Sequence, residues 1–404
     1  MKSTQWILAS IFARMDGAGK WWQKFFAELF VLIFSIQGRV NFENLARYSK
    51  FNECRFRRNF QKFFDWLEFN YVLFTLWGHT PGSELLAVVD CSFLPKAGKN
   101  TFGLDRFWPG VANTTKRGLE ISLLGLIDVA SAAAWTLDVT QTPPGLARKE
   151  SKEGTYTRLD FYIEQILDCL PKLDKVRYFV ADGFYAKTKM FNALQSCGKH
   201  LITKLRPDAD LRYPFTGVKE KGRRGRTPIY GGKVKYNDLS RWTDAGTDEK
   251  YPYLHLYTHV LYSPQFQRWL RVVLVLNTKT NQYALLACSD LDLPANLVLK
   301  YYQLRFQVEF LFRDAKQFAG LTHCQARDEA KLDFHFNMSL AAINLMQVHR
   351  KLNPSIKSMN SFVRKAYNLK LVEWLFEQLS AEAKFDLNHP AVQKALSFGE
   401  VTYD

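Results

Sequence analysis

The sequence predicts an α/β protein in which helices cover a mixed β-sheet, with an all-helical N-terminal domain ahead of the sheet and a β-rich insertion within it. Three observations carry this expectation. Two apolar, β-branched runs, ELLAVVDCS and VRYFVADGF, read as buried strands that each end in an acid, Asp90 and Asp182. Around them the hydrophobic period alternates in the order three strands, helix, strand, helix. Residues 1 to about 80 show helical spacing alone. At 404 residues and 47% hydrophobic content, the chain is long enough to bury a sizeable core and to hold two or three domains.

Within residues 1–80, KWWQKFFAELFVLIFSIQG reads as a helix ended by Gly38, and NFENLARYS as a short helix starting near Asn41. FNECRFRRNFQKFFDWLEF follows as a basic helix, with Arg55, Arg57, Arg58 and Lys62 beside Phe56, Phe60, Phe63 and Phe64. Short helix, turn, basic helix fits a helix-turn-helix reader of a DNA groove and equally a small bundle with a basic surface. Pro81 and Gly82 mark a boundary. The core then runs over 81–206. It has strands at about 84 to 91, 121 to 128 and 133 to 139, a helix near 155 to 170, the strand before Asp182, a helix near 186 to 196, and the strand HLITKL. This is the ribonuclease H-like order.

Residues 207–262 alternate aromatics with glycine turns and read as the insertion, which carries the basic loop KEKGRRGR. The core resumes over 263–350 with RVVLVLN, YALLACS and two helices. His335 and His349 on the second of these lack an acid or Cys at ligand spacing and read as structural. Residues 351–404 read as small terminal helices; LVEWLFEQL, apolar on one side, suits docking on the core or on a second subunit.

The chemistry concentrates in YYQLRFQVEFLFRDAK. Tyr302, Arg305, Glu309 and Lys316 are spaced i, i+3, i+7 and i+14, which keeps them within roughly 60° on a single helix. Leu304, Val308, Leu311 and Ala315 form the opposite, apolar side. Arg313 falls near the polar face. An acid between two cations can ligate a hard divalent ion while the cations bind phosphate oxygens. Together with Asp90 and Asp182, Glu309 makes three carboxylates that would repel one another without a cation, so the set implies divalent metal.

The order Asp, Asp, Glu with this Tyr-Arg-Glu-Lys spacing resembles the DDE transposases of bacterial insertion sequences, in particular the insertion-sequence-four group marked by its YREK motif. Asp182-Gly-Phe-Tyr185 is similar to that group's second-aspartate motif and SFLPKAGKNTFGLDRFW, after Asp90, to its first; the resemblance covers roughly residues 84 to 350. It favours Asp90 over the rival acids Asp105 and Asp128. It implies that Asp90, Asp182 and Glu309 hold two Mg²⁺ (or Mn²⁺) ions for phosphoryl transfer, nicking transposon ends and joining the 3′-hydroxyls to target DNA. Tyr302, Arg305, Arg313 and Lys316 would position phosphates. Lys96 and Lys99, with Trp108 nearby, and the loop residues Lys219, Lys221, Arg223, Arg224 and Arg226 are candidate phosphate contacts, each also readable as solvated charge. Trp242 is a candidate stacking residue, and Arg55, Arg57 and Arg58 would read the terminal inverted repeats. The implied partners are double-stranded DNA and a second copy of the chain when assembled on it, in a bacterial cytoplasm at the nucleoid.

Composition agrees with a polyanionic partner. There are 55 Lys plus Arg against 39 Asp plus Glu, a formal net charge of +16, and aromatics at 15% include 32 Phe. Six cysteines without a CxxC pair argue against zinc and fit a reducing compartment. The apolar run 25–36 is too short to span a bilayer, so no membrane association is expected. Two alternatives stay open: a stand-alone metal-dependent nuclease on the same fold, and a DNA-binding relic that has lost its chemistry.

Overall fold

The computed structural model describes residues 3–17, 19–109, 114–146, 155–217, 229–379, 386 and 388–396. Five helices come first: α1 (Thr4–Phe12), α2 (Lys20–Ser35), α3 (Phe42–Arg47), α4 (Glu53–Asn59) and α5 (Trp66–Leu73). Strands β1 (Leu85–Pro95), β2 (Asp105–Phe107), β3 (Lys116–Asp128) and β4 (Ala133–Gln141) precede α6 (Arg158–Asp168), β5 (Tyr178–Ala181), α7 (Thr188–Ser196) and β6 (His200–Leu205). Then come β7 (Arg212–Pro214), β8 (Tyr230–Lys233), β9 (Thr243–Thr247), β10 (Leu254–Ser263), β11 (Arg268–Asn277) and β12 (Gln282–Cys288). Five α-helices complete the described residues: α8 (Ala295–Leu304), α9 (Gln307–Phe318), α10 (Glu329–Leu352), α11 (Met359–Leu379) and α12 (Pro390–Leu396). None of these helices is long and apolar enough to cross a membrane, among the described residues.

The strands form one mixed sheet in the order β2-β3-β1-β5-β6-β12-β11-β10-β7-β8, with β4 on β3 and β9 on β10. β1, β5 and β6 are parallel, and the pairs around them are antiparallel. The described residues of 207–262 therefore extend the edge of the sheet, because β10 pairs along its whole length with β11. Expected boundaries move where pairing partners are long. β1 continues to Pro95, so Asp90 sits in mid-strand and not at its end, since β3 accompanies it as far as Gly118.

The N-terminal helices share one apolar core with the sheet and with α10. Phe334 of α10 lies 4.4 Å from Phe60, 5.1 Å from Trp66 and 6.1 Å from Phe26, ring centre to ring centre. The basic helix expected over residues 51–69 is two helices. Phe60 and Phe64 turn inward after α4, and Asp65 then caps α5 by accepting from the Glu68 N–H at 2.9 Å.

β4 is the outer neighbour of β3, and its free edge is closed by side-chain amides. Gln347 donates to the Ala134 carbonyl (3.2 Å), Asn344 to Thr136 (2.8 Å), Asn70 to Leu137 (3.1 Å) and Asn337 to Val139 (3.0 Å). The step from 136 to 137 in this series is a β-bulge, where the register with β3 shifts between Leu124 and Gly125. Gly125 is required there, because a Cβ would come within 2.9 Å of the Trp135 carbonyl. Three of the four amides come from α10, so this helix both covers the edge and satisfies it.

Candidate active site

Parallel pairing brings the first two acids together. Leu86–Val89 of β1 align with Tyr178–Ala181 of β5, so the next residue on each strand is an aspartate, Asp90 beside Asp182. β5 stops there. Asp182 accepts from the Phe184 N–H at 2.9 Å, and Thr203 of β6 holds the Asp182 carbonyl at 2.8 Å. Gly183 allows the turn, since a Cβ would lie 3.0 Å from the Lys204 carbonyl. β1 runs on without a strand partner on that side among the described residues, and this edge lines a cleft of ≈ 1100 Å³.

The third acid arrives by a bent route. The expected single helix is α8 and α9, joined through Arg305 and Phe306 by i→i+3 bonds such as Arg305 N–H to Tyr302 (3.2 Å) and Glu309 N–H to Phe306 (3.1 Å). At this tightened turn the Arg305 guanidinium reaches Asp90 with one nitrogen and Glu309 with the other, each at 2.9 Å. Arg305 thus bridges two of the acids, where phosphate binding was expected. Tyr302 packs its ring 5.9 Å from that guanidinium. Lys316 donates to Ser92 Oγ (2.8 Å) and the Phe93 carbonyl (3.4 Å), so it supports the free edge of β1. Arg313 lines the cleft, its guanidinium held by Asp314 at 2.9 Å.

Burial pushes the Asp90 carboxyl up to about 7, helped by Asp182 and opposed by Arg305 and the Cys91 N–H. Burial raises Asp182 too, against the Phe184 N–H and Arg305. Arg305 is held above its ordinary value: burial works against its charge, and Asp90 and Glu309 more than offset that. Burial lowers Lys316 and raises Tyr302. One guanidinium among three acids leaves negative charge uncompensated, and hard oxygen donors suit Mg²⁺ or Mn²⁺, so the donor set fits a divalent cation. With Arg305 wedged between Asp90 and Glu309, no three acids, histidines or cysteines among the described residues are grouped to ligate one ion.

Other expected site residues lie elsewhere. Lys96 is drawn inward to the Cys324 carbonyl, and burial lowers its pKa, so it is not a free phosphate contact. Lys99 is exposed in the following loop, outside the cleft lining, whereas Trp108 is exposed within it. Trp242 is buried, its ring edge-on to His259, and cannot stack on a base as placed. Arg57 pairs with Glu53 at 2.9 Å, Arg55 covers the Phe51 ring at 3.7 Å, and Arg58 reaches the Cys54 carbonyl at 3.4 Å. These three belong to the surface of α4 and not to the cleft. Lys219, Lys221, Arg223, Arg224 and Arg226 lie outside the described residues. The rival Asp128 is fully buried at the opposite end of β1, opposite Leu85, accepting from Thr80 and Ser131, which hold it down at about 2 despite burial. Asp105 accepts the Gly145 N–H at 3.0 Å.

The cleft also contains a pair that sequence reasoning missed. Glu120, buried on β3, takes Arg158 at 3.2 Å and the Tyr162 hydroxyl at 2.6 Å. Next to it the Cys91 sulfur is 3.1 Å from the Tyr185 hydroxyl. The available signal was Glu120 itself, a lone charge inside the apolar stretch LEISLLGLI.

A family model described as DDE superfamily endonuclease matches residues 34–255, just over half of the chain, and includes Asp90 and Asp182. Glu309, Arg305 and Lys316 follow the matched span, so their placement rests on the geometry above. A comparison with curated proteins gives no match. On the extent of the family match, with two of its acids adjacent across a parallel strand pair, this chain belongs to the DDE superfamily of endonucleases.

Proposed function

We propose that the chain is a DNA transposase of the insertion-sequence-four (YREK) type, built on a ribonuclease H-like core. The observation that carries this reading is the register that sets Asp90 beside Asp182, with Glu309 tied to Asp90 through Arg305 at the mouth of one cleft. The strand order β4-β3-β1-β5-β6, with β1, β5 and β6 parallel, supports the core assignment.

In this reading double-stranded DNA enters the cleft, water nicks the phosphodiester at each element end, and the freed 3′-hydroxyl attacks target DNA. Asp90, Asp182 and Glu309 would hold Mg²⁺ or Mn²⁺, which supplies nucleophile activation and charge neutralisation at the leaving oxygen. The protein's own contribution is placement. The β1–β5 ladder fixes two carboxylates, and Lys316 steadies the strand that carries Asp90. Arg313 offers a cation to the incoming phosphates. Terminal-repeat recognition is assigned to the N-terminal helices, phosphate contacts to the basic loop, and assembly on DNA to two copies of the chain.

The test incubates purified protein with a labelled DNA carrying its own element's end and a target plasmid, with Mg²⁺ or EDTA. Metal-dependent nicking at the end followed by joining to the plasmid is expected. Asp90→Ala, Asp182→Ala and Glu309→Gln should each retain end binding and lose cleavage by at least about 10³-fold. Cleavage without joining points to a plain nuclease, binding without cleavage under every metal points to a relic, and retained cleavage in one variant removes that residue from the site.

A further inference from the structure

Resting on the metal-dependent reading of this cleft, we infer that Arg305 is a resident counter-ion of the acid cluster, which competes with divalent metal and is released to a DNA phosphate when substrate enters. Its guanidinium spans Asp90 and Glu309 with one nitrogen on each, both at 2.9 Å. Its side chain is only 15% exposed, and its Nε is buried without a hydrogen-bond partner among the described residues. Arg305 is thus committed to the carboxylates through two of its three nitrogens. Each arm is a charge-assisted hydrogen bond to a separate carboxylate and occupies one oxygen of each that a metal would take.

The position of Arg305 suits it for exchange. It stands at the turn between α8 and α9, with exposed Phe306 next to it and Glu309 one turn on, and it lines the same cleft as Arg313 and Lys316. A phosphodiester in that cleft presents the one other acceptor that matches the guanidinium fork. Transfer of Arg305 from carboxylate to phosphate frees oxygens on Asp90 and Glu309 as the phosphate arrives. Metal affinity and DNA occupancy are then linked: each raises the other by the same factor. Without DNA, Arg305 occupies one oxygen each on Asp90 and Glu309, so metal has to compete for them. Such coupling would suppress cutting of DNA that does not seat in the cleft.

The experiment measures binding of Mn²⁺ alone by electron paramagnetic resonance of the free ion, for the full chain and for Arg305→Gln, without DNA and with a saturating duplex. Circular dichroism verifies folding. Removal of the competitor should tighten Mn²⁺ binding by R305Q without DNA on the order of tenfold, and should shrink the gain produced by DNA. Arg305→Lys, which keeps the charge and loses the two-armed bridge, should fall between the two and serves if R305Q does not fold. Equal or weaker Mn²⁺ binding by the folded variants without DNA overturns the counter-ion assignment and leaves the metal reading standing. No Mn²⁺ binding by any of the proteins, with or without DNA, overturns both.

Discussion

At the scale of single residues, placement in the sheet governs what an acid can do. Asp90 and Asp182 were legible in the sequence because each follows a short apolar run, and a parallel pair carries two such runs into register. The contact of Arg305 with Asp90 was not legible, because it joins residues 215 positions apart across a turn that helical periodicity does not report. Trp242 failed as a stacking candidate because composition cannot tell a buried indole from an exposed one. Asp333 on α10 offers a test of burial and like-charge crowding, away from the cleft. Burial, then Asp138 and Glu329, push its carboxyl up to about 7, against one hydrogen bond from Asn337 at 3.1 Å. Between about pH 4 and 7 the native protein therefore keeps a proton at this site that the unfolded chain has lost. Stability falls as pH rises through that window and stays low above it. Asp333→Asn should raise stability at pH 8 by about 2 kcal/mol and leave it nearly unchanged at pH 4. Thermal melts at the two pH values check this, and an equal shift at both would refute it.

At the scale of elements, most strands and helices followed from periodicity, and the errors have a common cause. Periodicity locates an element, but its ends are set by partners elsewhere in the chain. β1 outran its expected end because β3 pairs with it as far as Pro95, and the basic helix broke where Phe60 and Phe64 were drawn to the core. The clearest case of a partner-determined feature is the amide series along β4. Asn344 is fully buried; it accepts from the Thr136 N–H (3.0 Å) and donates to the Thr136 carbonyl (2.8 Å) and to Asn70 (3.0 Å). Asn344→Ala strands these groups away from water and should cost about 3 kcal/mol. Gln347→Ala, at a half-buried position with one bond in the series, should cost about 1 kcal/mol. Urea denaturation of the two variants should separate them in that order. Equal losses would show that α10 holds β4 through apolar packing alone.

At the scale of the whole molecule, the N-terminal helices and the sheet fold around one core, and the charge surplus of +16 must be read over that single body. Composition made a polyanionic partner legible but not where it would lie. Arg57, one of the most suggestive cations in the sequence, is paired with Glu53, while Lys116 and Arg313 line the cleft. If six to ten phosphates are engaged, affinity for a duplex should drop about 10³- to 10⁵-fold between roughly 50 and 200 mM salt. Fluorescence anisotropy across that range gives the slope, and a flat response would exclude phosphate neutralisation as the basis of binding.

The amide-lined border of β4 has a further consequence for how this architecture tolerates change. A sheet grows only where backbone groups are available for a new strand, and on the β4 side those groups are already taken by α10 and α5. The far border, where β7, β8 and β9 attach to β10 and to one another by short pairings, has no such lining among the described residues. Extra chain is therefore accommodated at one margin only, which is where the long interval between Asp182 and Glu309 is spent. Domain insertions and affinity tags placed in the β7–β9 connections should leave the acids undisturbed, whereas the same additions beside β4 would have to unseat a helix.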